Sequence, residues 1–328
     1  MRVALFGATG TIGQATAKFL LSLGHEVICP VRTGADVRGR PNAPTVQTLL
    51  PGADLRMVDN TLPAGVPPDF FQRERIDVIV SCLASRTGSP RDAWAVDYQR
   101  HSAILQLAHT ADIKHFILLS AICVQKPLLA FQQAKLAFEQ ELISSGLRYS
   151  IVRPTAFFKS LSGQLRRVQQ GKSFLLFGDG RLTACKPISD HDLAQFIASC
   201  LTDTDKYNRI LPIGGPGAAI TPIEQGEYLF KLTGKEPRFT HVPVAMLDVI
   251  IHVLRAGGWL VPTLADKSEL AKIGRYYATE SMLVWNPVSC RYEADATPSF
   301  GTQTLFDYYQ QLVSGEAQVS LGDHAVFF

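Results

Sequence analysis

Three side chains between Leu118 and Glu139 decide which chemistry is open to this chain, in the segment LLSAICVQKPLLAFQQAKLAFE. Ser120 closes an apolar run with the texture of a strand, and Lys135 follows fifteen residues later in a helical pattern. The position four residues before that lysine lies one helical turn away on the same face. A tyrosine there would hand a proton to a carbonyl oxygen. The residue is Phe131, which has no proton to give. Carbonyl or alcohol chemistry at such a site lacks its acid, which points to a different electron acceptor.

A second constellation, GATGTIG at 7–13, follows the apolar run RVALF and precedes a helical pattern through Ala15, Phe19, Leu20 and Leu23. In GxxGxxG between strand and helix, Gly7 permits the tight turn, Gly10 admits a pyrophosphate and Gly13 lets helix and strand pack closely. Thr9, Thr11 and Ile12 complete the loop, and the helix start offers free N–H groups to phosphates. The second strand, EVICPVR at 26–32, runs into Arg32 and Thr33. A carboxylate there would accept from ribose hydroxyls, whereas Arg32 pairs with a 2′-phosphate, assisted by Arg38 and Arg40. The expected cofactor is therefore NADPH. Asp59 ends the third strand as an adenine contact or a turn cap. Leu83, Ala84 and Ser85 close the fourth strand, where the cofactor's middle passes. Pro154, Thr155 and Phe157 follow the sixth, beside the carboxamide end. Lys135 would hydrogen-bond the nicotinamide ribose and favour a developing anion. It is also a candidate proton donor. Ser120 would bond the carboxamide, orient a water or cap its strand.

The elements that must position these groups are legible as apolar runs. LRMVD (55–59), DVIVSCL (77–83), HFILLS (115–120) and RYSIVRP (148–154) read as buried parallel strands, with helices over 92–111 and 128–145. The fold class is α/β, a Rossmann-type doubly wound parallel sheet with a smaller, mostly helical C-terminal substrate-binding part. Residues 1–155 form the cofactor domain and 156–328 the substrate part, with segments returning to the core. Short strands are expected near 174–177, 209–213 and 238–242, and TPIE at 221–224 starts a helix with a capping box. Residues 244–260 read as an amphipathic helix packed on a core or lying on a membrane surface.

Composition narrows the class. Of 328 residues 46% are apolar and 19% charged, with a net charge of +3, too small to imply nucleic acid. The six cysteines form no CxxC pair and no Cys/His metal spacing, so no metal site is expected. No 18-residue apolar run spans a membrane. A strand beginning at residue 2 leaves no room for a leader.

Three longer segments carry a family resemblance: AICVQKPLLAFQQAKLAFE (121–139), IVRPTAFFKSLSGQ (151–164) and IGRYYATESMLVWNPVSCRYEADATPSFGTQTLFDYY (273–309). With the glycine loop they resemble the extended or atypical short-chain dehydrogenase/reductase superfamily, and within it the NADPH-dependent divinyl (proto)chlorophyllide 8-vinyl reductases. That family also shows Phe in place of Tyr. The resemblance implies hydride transfer from NADPH to the C8 vinyl group of a flat tetrapyrrole, whose magnesium belongs to the substrate. It further implies a bacterial cytoplasmic form, at most peripheral to a photosynthetic membrane. Phe131, Phe157 and Phe158 would then wall the tetrapyrrole, Lys159 would meet a propionate, and Gln125 with Lys126 would face the substrate. Tyr276 and Tyr277 are alternative proton donors, although Leu270, Ile273 and Tyr277 share a face that places Tyr277 in the core. His191 and Asp192 read as first-turn residues behind a Ser189 cap. Two other classes share parts of this pattern: a non-catalytic NADPH-binding regulator or assembly subunit, and a sugar-nucleotide epimerase, which Phe131 argues against.

Overall fold

Strands that are apolar on both faces need cover on both faces, and the chain supplies it. A computed structural model describes residues 1–32, 46–258 and 262–317. Its strands are β1 (Arg2–Phe6), β2 (Glu26–Arg32), β3 (Asp54–Val58), β4 (Val78–Ser81), β5 (His115–Leu119), β6 (Tyr149–Pro154), β7 (Phe174–Phe177), β8 (Arg209–Ile213), β9 (Phe239–Val242), β10 (Val284–Asn286) and β11 (Arg291–Glu293). Seven of them form one parallel sheet in the order β3-β2-β1-β4-β5-β6-β8. The order reverses direction between β1 and β4, which opens a crevice at their C-terminal ends, the place where such sheets bind ligands.

Alternate residues of each strand feed opposite cores. Leu5, Val80, Ile117 and Val152 meet Leu20 and Ala17 of the Thr11–Ser22 helix and Leu193 and Ile197 of the Asp190–Ser199 helix. Ala4, Ile79, Phe116 and Ile151 meet Ile104 of the His101–Thr110 helix and Phe138 and Leu142 of the Ala130–Ser144 helix. The expected single helix over 92–111 is instead a short helix at Pro90–Ala93, a π-helix at Trp94–Arg100 and the His101–Thr110 helix. The wider turn is a local departure that accumulates at functional sites. It carries two of the side chains described below.

Beyond β6 the chain leaves the sheet and comes back. β8 joins it beside β6, while β7 and β9 pair in parallel outside it and β10 and β11 form an antiparallel ladder. A separate core of Phe158, Leu165, Phe174, Phe230 and Tyr309 holds this part together. The Thr221–Glu224 capping box opens the Pro222–Thr233 helix, which ends at Gly234 with φ 63°. The Val244–Gly258 and Pro262–Thr279 helices pack on each other. Among the described residues no helix is long and apolar enough to cross a membrane.

Candidate active site

The glycine loop has the shape its residue types require. Gly7 has φ +79°, and a Cβ there would lie 2.6 Å from the Cys82 carbonyl group and 2.7 Å from the Leu83 nitrogen. A Cβ on Gly13 would lie 2.1 Å from the Gly7 oxygen. Gly10 differs, since its Cβ would meet only the Gly7 oxygen at 3.4 Å. Gly10 is exposed and starts the Thr11–Ser22 helix with no side-chain cap. Two glycines thus close the turn against β4 and its following loop, and the third leaves the helix start open. That arrangement fits a pyrophosphate. Ile12 is buried beneath the loop and Thr9 is tied to Gln14, whose amide donates to the Thr9 carbonyl at 2.8 Å.

Lys159 belongs to this cradle. Its Nζ donates to the Thr11 hydroxyl at 2.9 Å, which places the ammonium at the positive end of a helix. Lys159, expected to meet a propionate, stands at the start of the glycine-loop helix. Asp190 lies within its field: burial pushes the Asp190 carboxyl up to about 6, and the Lys159 charge opposes that rise.

At the other end of the cradle Arg32 is exposed at the end of β2. Arg100, from the π-helix, is close enough that, after burial, the Arg32 charge lowers its pKa. Two like charges near each other would suit an anion. Arg100 was not expected from the sequence, because it lies far along the chain from the second strand. Thr33, Arg38 and Arg40 fall outside the described residues. β3 ends at Val58, so Asp59 stands in the following turn, where its carboxylate accepts from the Thr61 hydroxyl at 2.6 Å and the Thr61 N–H at 2.8 Å. The turn-cap alternative describes Asp59 better than an adenine contact.

The lysine is held by a residue that the sequence reading missed. Lys135 Nζ meets Asp97 Oδ1 at 2.9 Å, and the Asp97 side chain is fully buried. The same oxygen accepts from the Ser85 N–H at 3.2 Å. The π-helix sets Asp97 facing the Ala130–Ser144 helix while His101 follows. His101 Nδ1 lies 2.9 Å from the Val96 carbonyl and Nε2 lies 2.8 Å from the Ser81 hydroxyl. A carbonyl only accepts, so Nδ1 carries the hydrogen and Nε2 accepts from Ser81. Burial first, and the Lys135 charge second, push His101 down to about 4, which keeps it neutral. A carboxylate and an imidazole four residues apart in one buried helical stretch were the available signal.

Ser120 is committed elsewhere. Its hydroxyl donates at 2.5 Å to Glu139, a fully buried carboxylate that also pairs with Arg153. This bond ties the end of β5 to the Ala130–Ser144 helix and is not the strand-end cap expected above. Gln125 is likewise engaged, with its amide donating to the Leu283 carbonyl at 2.5 Å and accepting from the Trp285 N–H at 2.8 Å. Both ends of its amide are thus spent on clasping the chain at β10. Lys126 pairs with Glu280 at 2.7 Å, beneath the Trp285 ring. Phe158 is buried against Tyr308 in the C-terminal core, which removes it from any substrate wall. Phe157 is half-buried and packs on the sheet core, and Phe131 is half-buried beside Cys123, Ile273 and Tyr276. Pro154 and Thr155 are buried, with the Thr155 hydroxyl donating to the Lys186 carbonyl at 2.5 Å. Leu83, Ala84 and Ser85 line the exit of β4 beside Gly7 and Asp97. Ser189 caps its helix through the Asp192 N–H at 3.0 Å.

The two tyrosines exchange roles. Tyr276 is the core residue, 4% exposed, with its hydroxyl donating between the carbonyls of Cys123 (3.0 Å) and Lys126 (3.2 Å). Tyr277, expected in the core, is 46% exposed. The helix is turned so that position 276 faces inward beside Ile273. Among the described residues no group of His, Cys, Asp and Glu is placed to hold a metal.

Comparison with known proteins agrees with this geometry. A family model described as NAD(P)H-binding matches residues 7–204. The chain is 48% identical over 331 residues to the divinyl chlorophyllide a 8-vinyl-reductase, chloroplastic, of Zea mays, covering 99% of this chain and 82% of that protein. It is 26% identical over 250 residues to the photosystem II assembly factor Ycf39 of Cyanophora paradoxa, covering 76% of this chain and 74% of that protein. The solved binary complex of leucoanthocyanidin reductase with NADPH from Vitis vinifera superposes with a TM-score of 0.68 at 16% identity, covering 96% of this chain and all of that one. That likeness establishes a shared Rossmann-like fold. The Zea mays relative, named as chloroplastic, overturns the bacterial cytoplasm expected above. The expectation leaned on where the chain begins, which carries no information about a leader. With four relatives of the same name at 45–48% identity over nearly its whole length, the chain belongs to the divinyl chlorophyllide a 8-vinyl-reductase family.

Proposed function

We propose that this protein reduces the C8 vinyl group of a divinyl chlorophyllide-type tetrapyrrole to ethyl, with NADPH as the reductant. The observation that carries the reading is the half-buried Lys135, ion-paired to Asp97, with Phe131 one turn away, beside a glycine loop shaped for a dinucleotide. NADPH, once bound, supplies hydride. Gly7, Gly10, Gly13 and Lys159 hold its pyrophosphate, while Arg32 and Arg100 hold the 2′-phosphate and set the preference over NADH. Lys135 is the ribose ligand. Its ion pair with the buried Asp97 carboxylate holds it oriented. Lys135 thus favours an anion developing nearby. Phe131 presents an apolar ring where an acid would otherwise meet a carbonyl, which suits a flat hydrocarbon-like substrate and excludes water. A vinyl group conjugated to a macrocycle needs no carbonyl acid, because the ring system spreads the charge that hydride brings.

The exposed residues Met246, Val249, Ile250 and Val253 form one stripe on the Val244–Gly258 helix. We assign that stripe to a lipid surface, the reservoir of a lipophilic substrate. Co-flotation of the protein with lipid vesicles, abolished by Val249→Glu with Val253→Glu, is the expected result. Equal flotation of the double variant removes the assignment.

The reaction is tested by incubating purified protein with divinyl chlorophyllide and NADPH, with NADH in parallel, and separating the pigments by chromatography. The 8-ethyl product with NADPH alone is expected. Tight NADPH binding with the vinyl group left intact in every precursor offered would replace this reading with a binding-only role.

A further inference from the structure

One phosphate on the adenosine ribose separates NADPH from NADH, so the residues that shape its pocket choose the cofactor. Resting on the cofactor reading proposed above, we propose that Gly65 is the positioning residue that selects NADPH: with no side chain, it leaves open the slot in which the Arg100 guanidinium lies on the same face of the sheet as Arg32.

Distances measured from the glycine define the slot. A Cβ on Gly65 would lie 2.3 Å from Arg100 Nη1, 3.6 Å from Arg100 Cζ and 2.8 Å from Val58 Cγ1. Gly65 is buried, with φ +76°. The guanidinium therefore rests on the glycine backbone, against the side chain that ends β3. Val58 is the register partner of Arg32 across the β2–β3 ladder, and paired residues of neighbouring parallel strands project to the same face. Arg32 thus leaves the sheet on the side where Arg100 lies. The core beneath repeats that placement. Ile28, four residues before Arg32 in β2, and Ile104, one turn after Arg100, belong to one cluster, together with Ala64 and Val66 on either side of the glycine.

The guanidinium has no acid of its own. Among the described residues no carboxylate pairs with Arg100. A half-buried cation on the same side as a second arginine, with no counter-charge, is compensated once an anion enters.

Both walls of the slot are fixed. The Asp59 N–H donates to the Gly65 carbonyl and the Gly65 N–H to the Leu62 carbonyl, each at 3.0 Å, which closes the loop that carries the glycine. Opposite, the π-helix that ends at Arg100 is pinned through Asp97 to Lys135 at 2.9 Å. The next residue, His101, is held by its ring to the Val96 carbonyl and the Ser81 hydroxyl. The part free to move is the end of the long Arg100 side chain. A methyl group at position 65 therefore displaces the guanidinium before it displaces either backbone, and the charge leaves the phosphate's place while loop and helix stay.

The test is a double-mutant cycle, read by fluorescence titration with NADPH and with NADH, on wild type, Gly65→Ala, Arg100→Ala and the double variant. Gly65→Ala should weaken NADPH about tenfold or more and leave NADH almost unchanged. The double variant should bind NADPH as Arg100→Ala does, because a slot without its guanidinium has nothing left to lose. Equal weakening of both cofactors means backbone strain alone and overturns the inference. Losses that add in the double variant overturn it as well, as does a preference for NADPH that survives Arg100→Ala. Should Gly65→Ala fold poorly, Gly65→Asn carries the same Cβ on a residue that tolerates positive φ, and the same cycle is expected of it. A wild type that binds NADPH and NADH equally sinks the cofactor reading and this inference together. A preference that Arg100→Ala abolishes and a side chain at position 65 leaves intact sinks the inference alone.

Discussion

Lys159→Met separates the two roles that this lysine was given. The substitution keeps an unbranched side chain of similar length and removes the charge. The ammonium stands 2.9 Å from the Thr11 hydroxyl at the start of a helix that has no capping side chain. A helix start carries roughly half a positive charge, so a cation there is disfavoured by about 0.3–1 kcal/mol. An anion placed between the two positive groups reverses that sign. A charge-assisted hydrogen bond to phosphate contributes about 1.5–3 kcal/mol, which corresponds to roughly a 10- to 150-fold loss in affinity when the charge is removed. Titration by NADPH fluorescence, without substrate, should show Kd weakened within that range. The ligand-free protein also loses the Thr11 hydrogen bond and the attraction to the Asp190 carboxyl, so its melting temperature is recorded separately from Kd. Lys159→Arg should recover part of the affinity. A Kd within twofold of wild type, accompanied by a raised KM for divinyl chlorophyllide, would refute the assignment and return Lys159 to the substrate's propionate.

Arg100→Ala should weaken NADPH by about tenfold or more and leave NADH almost unchanged, since its partner is the phosphate that NADH lacks; equal effects on both cofactors would remove Arg100 from that site. Asp97→Asn should destabilise the protein by about 3 kcal/mol in urea unfolding, because Lys135 loses the partner to its buried charge, and a change below about 0.5 kcal/mol would contradict the ion-pair account. Asp190 gives a pH signature. Burial holds its carboxyl at about 6 against an ordinary 3.8, with Lys159 opposing. Between those values the folded protein binds a proton that the unfolded chain has released, so stability falls as pH rises through the window and stays lower above it. Asp190→Asn should therefore be the more stable protein at pH 8, by on the order of 3 kcal/mol at most, and should match wild type at pH 4. Coincident melting curves at both pH values would show that the carboxyl is not strained.

What could be read in the sequence, and what could not, divides along the distance between partners in the chain. Gly7, Gly10 and Gly13 report on one turn, and Phe131 and Lys135 on one helix face, so spacing alone exposed the cradle and the missing acid. The strands were legible for the same reason: each is a short apolar run covered on both faces. The partners of the active groups are remote. Lys135 meets Asp97 across 38 residues, Lys159 meets Thr11 across 148 and Gln125 meets Trp285 across 160. Periodicity could not give the helical phase at Trp94–Arg100 either, because a π-turn shifts it and changes which side chains face inward. The same limit explains the exchange between Tyr276 and Tyr277, since adjacent residues point about 100° apart and packing against Cys123 and Lys126 chooses between them. An acid lost from a helix at position 131 leaves a mark that can be read in place. What packs beside that position comes from a helix far along the chain, through Ile273 and Tyr276, and only the folded chain shows that element.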